Sequence, residues 1–571
     1  MENIFNNDEK IDVFVQIEND LMELEPNSSD EKIENLINHI PINYLNQKED
    51  LMMICQLFTH YSRNYIHSCK GNAIKLFERI MEPIKTYLQD EQTFFWVISG
   101  GLFYLKLWFY EENLISIDKI IQVSRRPNSL PVTEYFLPEI IEKEPEIYEQ
   151  EIKSMFNKTF SDEYLSEFKK LRCKYFNFLR SSNDYTDPSY KEIETNPLRL
   201  ALKTDDIDSF QKILSNSNIS IDSKISESLI ENHFRDSKEI SFIEYAIYFN
   251  AVKIVKYLVM NDVAITERVI YNSISLRNND IIHIFESKAN DEFGRESFFC
   301  SISSWNFDLT EYALDNYSIE FLENCEDDDK IFNMIKNTFA SSNFIFLKFI
   351  LIPFFRKNPL FVSKTINSIL LFSFDDPSCF FLRELMKYGD IDVNYNSLPD
   401  DEKFPLLIKA IQRENVKAVG IFLNHPDIDI NNPGKGIFTP FQCACALHSD
   451  MKIIKMFCNH HGFNIGWKDS KYNANGFHLG IIKGNSYAVK YIIDHFSISI
   501  DKNYYNLLIF CLSKNILLIS KILLKYFIRK NDEMSNDEMV EDIRKQTSSF
   551  HEFSEDLMNV LKDIIQELRS L

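Results

Sequence analysis

Glycine is scarce in this chain: 13 of 571 residues, where an average composition supplies about 40. Loops that cradle phosphate need glycine so that backbone N–H groups can approach an anion. None is present, since Gly434-Lys435-Gly436 stands alone and Gly100-Gly101 lies inside an apolar run. Positive charge is also short. The 62 Lys and Arg against 85 Asp and Glu leave a net charge of −23, the wrong sign for a phosphate backbone or an anionic membrane surface. Nucleic acid is therefore not expected as a partner. Long apolar runs are missing too. The longest, from Phe94 to Tyr110, is broken by Ser99, two glycines and Lys106, so it reads as a buried helix pair and no membrane insertion is expected. The first residues have neither the basic start nor the apolar stretch of a signal peptide, which makes the cytoplasm the expected compartment and the ten cysteines reduced thiols.

Short catalytic motifs are absent as well. The sequence has no His-Glu-x-x-His, no paired Cys-x-x-Cys and no Gly-x-Ser-x-Gly. The best set of metal donors is Cys443, Cys445, Cys458, His460 and His461. Thiolate and imidazole suit zinc, but Cys443 and Cys445 fall where an apolar pattern wants a small core residue, a role that cysteine fills. No catalytic, cofactor-binding or metal-binding residue is assigned, no cofactor is expected, and the chain reads as a non-enzyme.

What the sequence does contain is a repeat. Three segments align near its C-terminal third: Phe404-Pro405-Leu406-Leu407-Ile408-Lys409-Ala410, Thr439-Pro440-Phe441-Gln442-Cys443-Ala444 and Asn475-Gly476-Phe477-His478-Leu479-Gly480. Each ends on a small residue, and these anchors, Ala410, Ala444 and Gly480, are 34 and 36 residues apart. Further copies anchor at Ala201 and Ala246, and weaker ones near Ile274, Ser301, Thr338, Ser373 and Cys511. Every unit follows one grammar. A Pro or its substitute opens a short helix where the missing N–H does no harm. The small anchor lets two helices approach, a turn follows, and an apolar i, i+3, i+4 stripe such as Ile254, Val255, Leu258 and Val259 marks a second helix. The turn wants a positive φ and carries Asp205, Asn250, Gly484 or Asn515, residue types that tolerate it.

These units resemble ankyrin repeats, whose signature is a Thr-Pro-Leu-His-x-Ala helix opening with a period of about 33 residues. Thr439 to Ala444 is near that opening, and Asn475 to Ile493 is similar to a whole helix pair. The stretches from Tyr388 to Asn394 and from His425 to Asn431 resemble the start of the family's finger loops. In texture the chain is similar to the divergent, Asn- and Ile-rich ankyrin families of protists. The resemblance implies an all-α fold: an α-solenoid of about ten stacked helix-turn-helix repeats over 197–526, degenerate between 269 and 385. It also implies use as a protein-binding scaffold on the concave surface of inner helices and finger loops.

Residues 1–180 read as a helical region without that signature, and the polar run 181–196 as a linker. Two roles are open for 1–180: a cap on the stack, or a separate enzymatic or effector module that the repeats would target. The tail 529–571 holds six basic and eleven acidic residues. Its Leu557, Val560, Leu561, Ile564, Leu568 and Leu571 share one helical face, which reads as a C-terminal cap or a short dimer seam, with a monomer favoured. The candidate contacts for an unidentified protein partner are Asp400, Asp401, Asn432, Lys435, Trp467, Lys468, Asp469 and Tyr472. Trp467 leads them, because an aromatic ring at a loop tip is a common binding hot spot. The other reading is that it packs on the adjacent finger.

Overall fold

In the computed structural model, eight of the ten anchors are followed by a turn closed through the main chain. The N–H five residues beyond the anchor donates to the anchor's carbonyl: Asp206 to Ala201 at 3.0 Å, Ala251 to Ala246 at 2.8 Å, Asn306 to Ser301 at 2.9 Å and Asn343 to Thr338 at 3.1 Å. The same bond joins Asn415 to Ala410, Ser449 to Ala444, Asn485 to Gly480 and Ile516 to Cys511, at 3.1, 3.1, 2.7 and 2.8 Å. The residue one place earlier has a positive φ at Asp205, Asn250, Trp305, Ser342, Glu414 and Gly484. Asp205, Asn250 and Gly484 are as the sequence predicts, and Asn515 lies outside the described residues. Trp305, Ser342 and Glu414 are residue types that avoid this conformation; the closing bond and the packing beneath it hold them there.

The structure describes residues 8–24, 28–64, 70–100, 102–125, 129–156, 160–181, 185–226, 239–275, 278–286, 291–316, 328–387, 391–394, 405–434, 436–447, 449–469, 471–514, 516–546 and 555–570. Among them the chain is all-α apart from one antiparallel pair of short strands, Lys224–Ser226 and Glu239–Ser241, with Ile225 opposite Ile240. No described helix is long and apolar enough to cross a membrane.

The chain divides into two compact units, 1–116 with 160–392 and 117–159 with 393–571. This division corrects the expectation that 1–180 stands as one region. Its residues 117–159 belong with the second unit and the rest with the first.

In the first unit, the leading helices Pro197–Lys203, Phe242–Tyr248, Glu267–Ser275, Asp291–Ser303, Asp328–Ser341 and Pro359–Phe372 pack one on the next. The N-terminal helices Asp8–Met22 and Lys48–Asn64 bury their apolar faces against this unit. Phe14 meets Phe344 and Phe380 at ring-centroid distances of 4.8 and 5.7 Å. The Glu18 carboxylate accepts the N–H groups of Phe344 and Ile345 at 2.8 and 3.0 Å. It thus caps the helix that begins there, where an anion is favoured. That helix passes through a π-turn at Leu347–Leu351 before Pro353, which spares it the clash a proline ring makes in a regular helix. Gln56 Nε2 donates to Ser342 Oγ at 2.6 Å, and the His60 ring lies tilted against Trp305 at 4.7 Å. The expected linker is likewise packed: Tyr185 and Tyr190 are buried with Phe178. Glu194 meets Lys203 and Arg199 at 2.7 and 2.9 Å, and the Lys203 ammonium lies over the rings of Tyr190, Tyr245 and Phe249.

In the second unit, Leu406–Gln412, Pro440–Ala446, Gly476–Ile482 and Lys502–Ser513 stack in order, as do their partners Val416–Leu423, Met451–Asn459, Ser486–His495 and Leu517–Lys530. The helix Ile117–Ser124 binds the turns of these pairs. Lys119 lies 3.3 Å from Asp450, Gln122 Nε2 donates to the Ser449 carbonyl at 2.8 Å, and Arg125 sits over the Tyr487 ring. The tail folds back as Asn536–Gln546 and Glu555–Ser570, burying Leu561, Ile564 and Ile565. Tyr505 Oη donates to Asp542 at 2.7 Å, and Lys521 pairs with Glu567 at 2.8 Å. That is the packing of a cap; Val560 stays exposed.

Candidate functional site

The loops between successive helix pairs of the second unit are built by short polar side chains bonding to backbone, the work for which Asn and Asp are suited. Asn394 Nδ2 donates to the Asp427 carbonyl at 2.7 Å while its Oδ1 accepts from Asp429 N–H at 2.8 Å. Asn431, at the same place in the next loop, donates to the Gly462 carbonyl at 3.4 Å. Gln442 reaches the Ala474 carbonyl at 2.7 Å. Each loop is thereby tied to the one after it.

Within this frame the sequence candidates take different roles. Asp469 is only 2% exposed, and its carboxylate accepts from the N–H groups of Lys471, Tyr472 and Ala474 at 2.9, 2.5 and 3.0 Å. It shapes the loop and is not a surface contact, which corrects its place among the candidates. The turn it holds projects Tyr472, which is 58% exposed and stacks on Phe438 at 6.1 Å. Lys471 Nζ lies 5.0 Å from the Tyr472 ring centre, and Lys468 is exposed nearby in the chain. Asn432 is half-buried, its Oδ1 accepting from Gly434 N–H at 2.8 Å, a turn-forming role. Trp467 is half-buried and lines a narrow crevice with Ile430, Phe441, Phe463 and Gly476. A Cβ on Gly476 would come within 2.4 Å of the Phe441 ring, so glycine there lets the two pairs close up. Asp400, Asp401 and Lys435 lie outside the described residues.

The sequence reading missed two exposed apolar side chains in the second unit. Leu447 and Ile482 are 40% and 45% exposed, at the ends of the adjacent leading helices Pro440–Ala446 and Gly476–Ile482. Their offsets from the anchors, three and two residues, are the signal that would have found them.

Of the cysteine and histidine donors, Cys443, Cys458 and His460 are half-buried and His461 is exposed. Cys445 is buried, and burial pushes the Cys443 and Cys458 thiols up to about 12, which disfavours the thiolate that a zinc ligand must become. His460 and His461 stack on each other at 4.3 Å. Among the described residues no three His, Cys, Asp or Glu side chains converge as a metal site. His478 and Asn475 form a reciprocal helix cap, His478 N–H donating to Asn475 Oδ1 at 3.1 Å and Asn475 N–H donating to His478 Nδ1 at 3.4 Å. Burial, and then the Lys468 charge, hold its imidazole below the usual histidine range, so it adds no positive charge at neutral pH.

Neither a protein-family model nor the sequence of a curated protein matches this chain.

Proposed function

We propose that the chain is an ankyrin-type α-solenoid that acts in the cytoplasm as a non-catalytic scaffold, holding a partner protein on the face made by its finger loops and leading helices. The period of the anchors, the recurring turn and the stacked pairs support the solenoid reading. Each pair is too small to bury its own apolar stripe, so stability comes from neighbours and the stack offers an extended surface. The observation that carries the binding reading is that Tyr472, Leu447 and Ile482, apolar side chains of a loop and two leading helices in the second unit, are left exposed. Side chains of this kind on a rigid loop or helix end cost little entropy to bury against a partner.

The test is affinity capture of the intact protein from its native cytoplasm, run beside Tyr472→Ala and Trp467→Ala. A specific partner should be retained by the unmodified chain and lost or depleted with both variants, while the melting temperature of Tyr472→Ala stays within about 2 °C. Retention that is indifferent to both substitutions would overturn the reading.

A further inference from the structure

The recurring turn also starts the second helix of each pair, and in five pairs the residue whose N–H closes the turn caps that helix with its side chain. Asp206, Asn306, Asn343, Asn415 and Asn485 each accept the N–H three residues on, at 3.1, 3.2, 2.7, 3.0 and 3.1 Å. An Asn or Asp there satisfies a donor that a helix start leaves open. Three of the eight closed turns lack such a residue. At Ala251 the preceding turn serves instead, since Asp205 accepts the N–H groups of Lys253 and Ile254 at 3.1 and 3.0 Å. Ile516 opens the last pair, on which the tail packs. The third is Ser449.

Ser449 is buried, and its hydroxyl has no hydrogen-bond partner among the described residues. The cap passes one place on to Asp450, which accepts from Lys452 N–H at 2.7 Å. Support for this turn comes from 327 residues away in the chain. Gln122 Nε2 donates to the Ser449 carbonyl at 2.8 Å, and Lys119, its side chain buried, reaches Asp450 at 3.3 Å. The helix that carries both is packed within its own segment. Ile117–Ser124 lies against Leu130–Tyr135 and Leu137–Lys143, and Arg125 pairs with Glu151 at 2.6 Å. The segment 117–159 therefore brings its own packing to a turn that has no Asn of its own. Arg125 also lies over the Tyr487 ring, but the helix there keeps its Asn485 cap. With the segment docked, the Ser449 hydroxyl is buried without a partner, a cost that contact with water removes.

We propose that the segment 117–159 is a releasable strap. Docked, it takes the part of the missing Asn at the Ala444 turn. Released, it lets that turn and the helix Met451–Asn459 loosen, while the pairs on either side, capped by Asn415 and Asn485, stay closed.

Hydrogen exchange of the intact protein in rising sub-denaturing urea, read by mass spectrometry, tests this. Residues 117–124 and 449–459 should share one opening that comes before exchange of 476–495. Without urea, the double variant Lys119→Met/Gln122→Ala should exchange about ten-fold faster in both segments, with 476–495 within about two-fold of the unmodified protein. Ser449→Asn restores the residue type of the other turns and should keep 449–459 protected while 117–124 still opens. Circular dichroism melts establish that each variant is folded. If Ser449→Asn is not, Gln122→Ala and Lys119→Met taken singly must each raise exchange in both segments.

Opening of 117–124 only together with the whole second unit overturns the proposal, because the segment is then fixed core. So does an opening of 117–124 in the unmodified protein that leaves 449–459 protected, or a double variant that exchanges like the unmodified chain.

Discussion

The pair anchored at Thr338 and the pair anchored at Gly480 share one joint to their predecessors and differ in everything added to it. In both, an Asn five residues past the anchor donates its side-chain amide to the carbonyl that follows the previous anchor. Asn343 bonds to Ile302 at 2.8 Å and Asn485 to Cys445 at 3.0 Å. Around Asn485 further ties come from adjacent repeats, through Gln442 and the loop asparagines, and from one segment outside them, whose Arg125 lies over the Tyr487 ring. Around Asn343 they come from far away in sequence: Glu18 at the helix start, Gln56 on Ser342, and His60 against Trp305. A pair supported from outside is freed from the repeat's own side-chain rules.

The comparison predicts, first, that residues 1–185 expressed alone show no cooperative thermal melt and run as aggregate on size exclusion, because their apolar faces are completed by later residues. A monodisperse fragment with a sharp melt would break it. Next in size is Glu194→Gln. It leaves Lys203 buried without its anion, a loss of about 3 kcal/mol by chemical denaturation. Burial raises the Glu194 carboxyl, but Lys203 first and then Arg199 outweigh it and hold the group below its ordinary 4.5. The stabilisation it gives is therefore complete above that value and is lost as pH falls through the lowered one. The variant should lack this part of the acid-induced loss in melts between neutral pH and pH 3.

Smaller, and more diagnostic, are the paired substitutions Glu18→Ala and Asn485→Ala, each costing about 1–2 kcal/mol. Hydrogen exchange should show the first loosening 339–357 and leaving 476–495 protected, and the second doing the reverse. Exchange that rises in both segments for either variant would mean that the two sets of ties are not separate. Least affected should be Asn431→Ala, an exposed loop tie worth under about 0.5 kcal/mol.

What was legible in the sequence follows the same line. The anchors and the apolar stripes were readable because helix periodicity survives substitution, and Asp205, Asn250 and Gly484 announced their turns by residue type. The turns at Trp305 and Glu414 gave no such notice, since tertiary packing overrides local preference there. The division of 1–180 between two units was not legible because helices show their apolar faces in sequence, whereas surfaces that some of them meet, at Phe344 and Phe380 or at Ser449, lie hundreds of residues away. Asp469 looked like a contact because a polar loop residue and a loop-shaping residue have the same letter. Leu447 and Ile482 were passed over as ordinary apolar helix residues, and only their exposure separates them from the core.

The eight turn-closing bonds run from backbone amide to backbone carbonyl and ask almost nothing of side-chain identity. A lineage built on such a joint is free to exchange one residue for another at most positions while its spacing stays put. Kinship in such a chain is carried by intervals more than by letters, and a comparison that aligns distances between buried small residues would reach relatives that residue matching passes by.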